Sequence, residues 1–516
     1  MRSIILAMLI FPAAMHCATE AYAADRIDRL ISNLGHPLWT ARRDAAQRIA
    51  DSKDTSGTAV PALIRALADV SVEVRRASVQ ALAAVGQESE QAVAGLVTAL
   101  SDEDWVVRRQ AALSFGALQP TSSTAVPAIR TVLSSESTDI RTAAALALSS
   151  LAPASAQALP ELEVALASDS WQLRAAAAHA IGALGEEASS SLPALANALR
   201  DRDWGVTEQV IEALSRIGKP AVPILIEALQ DDNLIARWGA VRALGHIGSV
   251  SIDAVSALAG VLQDESLQVR WASARSLWAI GPTAATATPY LVESLTDKDW
   301  VVRWAAARAI GAVASEAHLA LTVPALANAL TDRDSRVCEA AAFALEQMGV
   351  VAEAALPALS RVVSAEQDSA AQTGTCQVID VGPAIEELLM HTGWTVRWAA
   401  VRALGVVGKG NRDALPSLTL ALIDEEWQVR GVAALAIGQF GTASTSGARS
   451  ALADKLRDEN AAVRKAAAIA LGEIGLPARS SIASLRVAAG DDSAAVRESA
   501  AEAIGKILVE QKGELE

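Results

Sequence analysis

Aromatic residues make up only 3% of this 516-residue chain, with two tyrosines and four phenylalanines. So few aromatics, without β-rich runs, argue against strands. Three cysteines and six histidines are present. His36, His179, His246, His318 and His391 stand isolated, with no His-Glu dipeptide, no H-E-x-x-H, no C-x-x-C, no P-loop and no G-x-S-x-G. Metal hydrolysis, thiol redox, nucleotide hydrolysis and serine acylation therefore lack their minimal residue sets, and no catalytic residue, metal or cofactor is expected. Positive charge is also short. Lys and Arg total 44 against 59 Asp and Glu, a net charge of −15. That disfavours nucleic acid, whose binding rests on phosphate neutralisation by a basic surface. Beyond the N-terminus no segment offers ~20 uninterrupted apolar residues, so no membrane span is expected.

What is present is a period. Arg42, Arg75, Arg108, Arg141, Arg174, Arg237, Arg270, Arg303, Arg336, Arg397, Arg430, Arg464 and Arg497 recur most often at steps of 33 residues. Thr207 keeps the spacing without the arginine. A fixed period in this range marks a solenoid, with function on an extended surface rather than in a globular pocket. The 52% hydrophobic content comes largely from alanine, which lets helices approach closely. The first 23 residues lie outside the period. Arg2 precedes an apolar run from Ile4 to Ala14 and then Ala21-Tyr22-Ala23, the pattern of a secretory signal peptide. His16 before Cys17 departs from what lipidation wants. A soluble periplasmic or secreted protein is expected.

Residues 60–86 represent one repeat. Pro61 suits the first turn of a helix, and Leu63 and Leu67 continue it at i, i+4. Val74, Ala77, Leu82 and Val85 then define a second helix that Gly86 stops. Pro127, Pro160, Pro193, Pro223, Pro289, Pro324, Pro357 and Pro416 mark comparable helix starts. Asp69, Asp102, Asp201, Asp264, Asp297, Asp332, Asp424, Asp458 and Asp491 recur before the second helix. A short acid there satisfies free amides, which explains the D-x-D pairs at 102/104, 201/203, 297/299 and 332/334 better than calcium does.

The unit Val-Arg-x-Ala-Ala-x-Ala-Leu-Gly-x-Ile-Gly, preceded by Leu-x-Asp, resembles the HEAT-like repeats of the phycobilin-lyase type over roughly residues 25–508. The resemblance implies an all-α fold, a right-handed α-solenoid of about fourteen HEAT-like helix pairs. It also implies an Arg/Asp ladder between neighbouring repeats, placing Asp69 with Arg75 or Arg108, and second helices that line a concave surface.

The period fails between Arg336 and Arg397, 61 residues apart. Pro357 begins a first helix without a second, and Pro383 begins another. The polar stretch between them reads as an insertion, since a loop this long in a compact array is usually functional or disordered. The expected organisation is a signal peptide at 1–23, repeats over 24–363, an insertion loop at 364–382, repeats over 383–510 and a tail at 511–516. Cys338 and Cys376 are the mature cysteines, and an oxidising compartment permits a disulfide pinning the insertion. Free buried thiols are the alternative.

With the periodic Arg numbered zero, apolar positions −1, +3, +6, +7 and +10 cluster on one side of the second helix. Positions −3, +1 and +5 form a row on the other side. Eleven of the twelve tryptophans occupy −3 or +1, and Trp278 sits at +8 on the same face. Trp238/Arg242, Trp271/Arg275, Trp304/Arg308 and Trp398/Arg402 are i, i+4 pairs, with Trp300 and Trp394 beside them. Such pairs stack, and Trp and Arg dominate binding hot spots. Helix stabilisation alone, or inheritance by repeat duplication, would leave the same residues without a ligand. The favoured reading is a non-enzymatic extracytoplasmic scaffold. It holds a protein or peptide on this surface, with an anionic group meeting the arginines. A carbohydrate or small-ligand binder is the alternative, since indoles also stack on sugar rings. A HEAT-like lyase or hydroxylase is a third, weakened by the signal peptide and the missing His-Glu ligands.

Overall fold

A computed structural model describes residues 27–52, 57–86, 89–117, 122–369 and 383–513. The expected signal peptide, Cys17, Cys376, most of the insertion and the end of the tail lie outside the described residues. Those described are helical and turn segments, with no strand among them. The chain forms two compact units, Met1–Ile247 and Gly248–Glu516.

Each repeat is built alike. In the second unit, Gly281 adopts φ 74° and closes the preceding helix, a conformation that favours glycine. A 3-10 turn over Gly281–Ala287 leads to the first helix, Thr288–Ser294, with Pro289 in its first turn. The turn before the second helix, Trp300–Val313, is tied by Asp297, whose Oδ1 accepts from the Asp299 amide at 2.8 Å. In other repeats the second acid of the pair caps the helix itself. Asp104 accepts from the Val106 and Val107 amides, and Asp203 from the Gly205 amide. That is the capping role the D-x-D pairs predict. Pro127 and Pro324 depart from expectation. They lie inside the helices Ser122–Leu133 and Leu319–Ala329, because the preceding turn is α-helical there and joins the first helix.

The core faces are as the period predicts. Val302, Ala306, Ala309, Ile310 and Val313 are buried, and so are their counterparts Val74, Ser78, Ala81, Leu82 and Val85. Second helices of neighbouring repeats meet through glycine at +8. A Cβ on Gly438 would lie 2.8 Å from Ala470 Cα, on Gly472 3.0 Å from Ala503 Cα, and on Gly182 2.6 Å from Ala213 Cα. Absence of a side chain at +8 is what lets these helices touch.

The ladder exists, but its direction corrects the expectation. Asp69 pairs with Arg42 of the preceding repeat, at 2.5 Å. Arg75 reaches forward to Asp102 at 2.8 Å, and its hydrogen bond to Asp69 goes to the main-chain carbonyl, at 3.0 Å. The arginine leaves the second helix toward the next repeat, so its carboxylate partner lies there. Arg174–Asp201, Arg270–Asp297, Arg303–Asp332, Arg397–Asp424, Arg430–Asp458 and Arg464–Asp491 repeat the pattern. The Arg42 guanidinium holds Asp69 below the usual carboxylate range, and Arg464 does the same for Asp491. At the gap, the Thr207 hydroxyl donates to the Asp201 carbonyl, and Asp231 turns to Arg200 instead.

Repeat ten holds a register shift. Its second helix begins at Ser335 and places Cys338, not Arg336, at the ladder position. The Cys338 thiol approaches the Asp332 carbonyl at 3.2 Å, the carbonyl six residues back that ladder arginines use. Cys338 is buried as a free thiol, which burial, seconded by Asp332, pushes up to about 11. After it the chain also differs from expectation. The first helix runs from Leu356 through Ser369, into the stretch assigned to the insertion loop. Pro383–Val407 is one 25-residue helix, so Pro383 opens an extended second helix rather than a new first helix.

Two stretches, Leu234–Gln263 and Ser335–Val363, are long and apolar enough to cross a membrane by composition, which the sequence reading did not identify. Each turns at a glycine of positive φ, Gly248 or Gly349.

Candidate functional site

The face opposite the core carries the tryptophans. Trp39, Trp105, Trp171, Trp204 and Trp427, all at −3, are exposed, and Trp300 and Trp394 are half-buried. The +1 set, Trp238, Trp271, Trp304 and Trp398, is half-buried. None is a core residue. The reason is rotational: −3, +8, +1 and +5 fall within about 80° of one another on a helix turning 100° per residue.

All four expected pairs stack. The guanidinium carbon lies 4.6 Å from the ring centroid for Arg242 on Trp238, 5.4 Å for Arg275 on Trp271, 5.6 Å for Arg308 on Trp304 and 4.7 Å for Arg402 on Trp398. Distances under about 6 Å are those of cation–π attraction. In the first unit Trp204 packs on Trp238 at 4.8 Å, and Glu208 forms an ion pair with Arg242. The remaining pairs belong to the second unit.

There the structure adds contacts between repeats. Arg308 lies over Trp278 of the preceding repeat at 5.2 Å, so one guanidinium is held by two indoles. Trp278 takes the +8 position, glycine in most repeats. Glu346 takes the same position two repeats on, counted from Cys338, and pairs with Arg402 at 2.7 Å. Phe343, at +5 where neighbours carry arginine, meets the Trp398 ring edge-on at 6.1 Å and lies under Arg402 at 5.4 Å. Arg336, displaced from the ladder, lies 3.2 Å from the Trp300 centroid and pairs with Asp334.

The arginines are thus not one open positive stripe. Arg242 and Arg402 are neutralised by Glu208 and Glu346. Glu339, at +1 of repeat ten, is half-buried. Burial pushes its carboxyl up, against the pull of Arg308. Glu339, Phe343 and Glu346 carried no expected role on this surface, and Arg336 was expected in the ladder rather than against Trp300. Position +8 held the signal for Glu346, once the register at Cys338 is shifted by two. No cluster of three or more His, Cys, Asp or Glu able to hold a metal occurs among the described residues.

The family model of HEAT repeats matches residues 27–116, 93–182, 159–245, 222–311, 288–380, 381–453 and 449–513. No protein of curated function matches the chain in sequence. Among solved structures, Kap121p bound to Nup53p is similar at a TM-score of 0.61 and 15% identity, over 94% of this chain and 56% of that one. Kap121p bound to Ste12p gives 0.62 and 14%, over 94% and 56%. Importin Beta gives 0.50 and 15%, over 94% and 78%. The chain spans a little over half the length of the Kap121p chains it matches. At such identity the likeness is one of fold.

Proposed function

Since the chain belongs to the HEAT-repeat family, an all-α solenoid array, we propose that it is a non-enzymatic scaffold that binds a protein or peptide partner on its second-helix face. The observation that carries this reading is the stacked Trp/Arg set of the second unit, which faces away from the core at Trp271, Trp304 and Trp398. Core packing does not require an indole there, and Trp and Arg are the residues in which interfaces concentrate binding energy. Kap121p, similar in fold, is a protein solved bound to protein partners. That supports the general use of such an array, though not a particular partner. A glycan is favoured less, because guanidiniums already lie over the Trp271, Trp304 and Trp398 rings that a sugar would stack on.

The N-terminal apolar run and Ala21-Tyr22-Ala23 support export, with a mature chain beginning at about Ala24. N-terminal sequencing tests it, and a protein recovered only in the cytoplasm with Met1 intact refutes it. The binding surface is tested by affinity capture from an extracytoplasmic fraction, comparing wild type with Trp271→Ala/Trp304→Ala. Both indoles are half-buried, so the double variant loses roughly 1–2 kcal/mol of stability yet stays helical. Its partner affinity falls by a few kcal/mol if these are hot spots. A double variant that unfolds makes the indoles structural, and one that folds and binds normally places the site elsewhere.

A further inference from the structure

Charge along the second-helix face is not uniform. Within the second unit, Arg402 is held by Glu346, and Arg336 by Asp334. Arg275 and Arg308 differ, since neither forms an ion pair among the described residues. Each is oriented by indoles: Arg275 by Trp271, and Arg308 by Trp278 and Trp304. Arg275 is exposed and Arg308 half-exposed. Stacking on an indole uses a guanidinium's flat face and leaves its edge N–H groups, which form the bidentate fork for a carboxylate. In a chain of net charge −15, two adjacent guanidiniums without an ion pair among the described residues, with only the half-buried Glu339 carboxyl drawn toward Arg308, form a local site for negative charge.

Resting on the proposed function above, we infer that Arg275 and Arg308 are the specificity pair of this surface. Its partner is then an extended acidic segment with two carboxylates two or three residues apart. The spacing follows from the fold. Both arginines occupy +5 of adjacent second helices, whose axes lie roughly 8–10 Å apart. An extended chain rises about 3.3 Å per residue, so about three residues span that gap. The apolar side chains between the carboxylates meet Trp278 and Trp304. Glu339 bounds the site on the far side of Arg308, where its charge discourages a third acid.

Selection from a random dodecapeptide library against the full chain, at low salt, tests this. Selected sequences should be enriched in Asp or Glu pairs at that spacing. Replacing both acids of a selected peptide by their amides should weaken it at least about tenfold in fluorescence anisotropy. Arg275→Gln/Arg308→Gln should abolish that tenfold preference while leaving the melting curve near wild type, and Glu339→Gln should tighten the acidic peptide. Peptides that need Trp271 and Trp304 but show no acidic enrichment would overturn this inference and leave the proposed function standing. An acidic preference unchanged in the Arg275→Gln/Arg308→Gln variant would also overturn it. Recovery of no peptide dependent on Trp271 and Trp304 would overturn both.

Discussion

Arg430→Ala separates a ladder that clamps repeats together from one that merely decorates the turns. The Arg430 guanidinium donates to both carboxylate oxygens of Asp458 at 2.9 Å, to Glu459 at 3.0 Å, and to the Asp424 and Glu425 carbonyls at 2.9 and 2.7 Å. Its side chain is 7% exposed and that of Asp458 is 4%. Truncation leaves a buried carboxylate whose remaining partners are the Asn460 amide at 3.0 Å and Lys455 at 3.5 Å. Removing one member of a buried pair costs roughly 3–5 kcal/mol. The surviving partners place this case near the lower end, about 3 kcal/mol. An exposed pair such as Lys506–Glu502 is worth at most about 0.5 kcal/mol, so Lys506→Ala serves as the control.

A repeat array need not unfold in one step, so the local measurement is hydrogen exchange in the helices Ser446–Lys455 and Ala461–Ile474. A loss of about 3 kcal/mol raises their opening on the order of a hundredfold. Replacing both partners, Arg430→Met with Asp458→Leu, should recover most of that loss, because no uncompensated charge remains. An increase under about fivefold for Arg430→Ala, near 1 kcal/mol, would refute the buried-clamp argument.

Gly438→Val forces a Cβ to within 2.8 Å of Ala470 Cα, and overpacking of that kind should cost about 1–3 kcal/mol in urea unfolding. Gly505→Ala, with open space around it, should be neutral or slightly stabilising. Acid should weaken the array through its ladder. Asp69 and Asp491 are held low by Arg42 and Arg464, so their contribution is complete above the unfolded carboxylate value near 4. It is lost as pH falls through their folded values, and a pH series of urea midpoints reads this out. Glu339 works in the opposite sense. Burial raises its carboxyl, so stability grows as pH falls through that raised value, and Glu339→Gln should remove this component. The Cys338 thiol, pushed up to about 11 and buried, should resist iodoacetamide at neutral pH until urea unfolds the chain. Rapid alkylation of the folded protein would contradict its placement.

The fold was legible because a 33-residue period repeats the same core positions, and Val302, Ala306, Ile310 and their equivalents are buried as that period requires. The i, i+4 stacks were legible for a related reason, being local to one helix. What crosses between repeats was not. Asp69 is six residues from Arg75 and 27 from Arg42. Only the direction in which the side chain leaves its helix selects Arg42. At repeat ten the nearest arginine stood in for the period, although two extra residues before it had moved Cys338 into the ladder place. That shift concealed Phe343 as the +5 residue under Arg402, and Glu346 as its +8 ion partner. The expected pairing with Cys376 lies outside the described residues, while Cys338 itself packs against the Asp332 carbonyl.

Position +8 separates what builds the array from what varies on it. Gly311, Gly405, Gly438 and Gly472 all sit where a Cβ would come within about 3 Å of the alanine on the next helix. Close packing therefore asks for glycine there, and a large side chain must lean outward. Trp278 and Glu346 are two such exceptions, and each takes an arginine of the following repeat, Arg308 or Arg402. The packing rule relaxes where the +5 arginines are organised by a neighbouring repeat. Yet the two exceptions differ in sign: Glu346 cancels its arginine, whereas Trp278 orients Arg308 without pairing its charge. Array stability alone supplies no reason for that difference. A surface that presents charge at one repeat and withholds it two repeats later does, and the acidic-segment reading depends on that contrast.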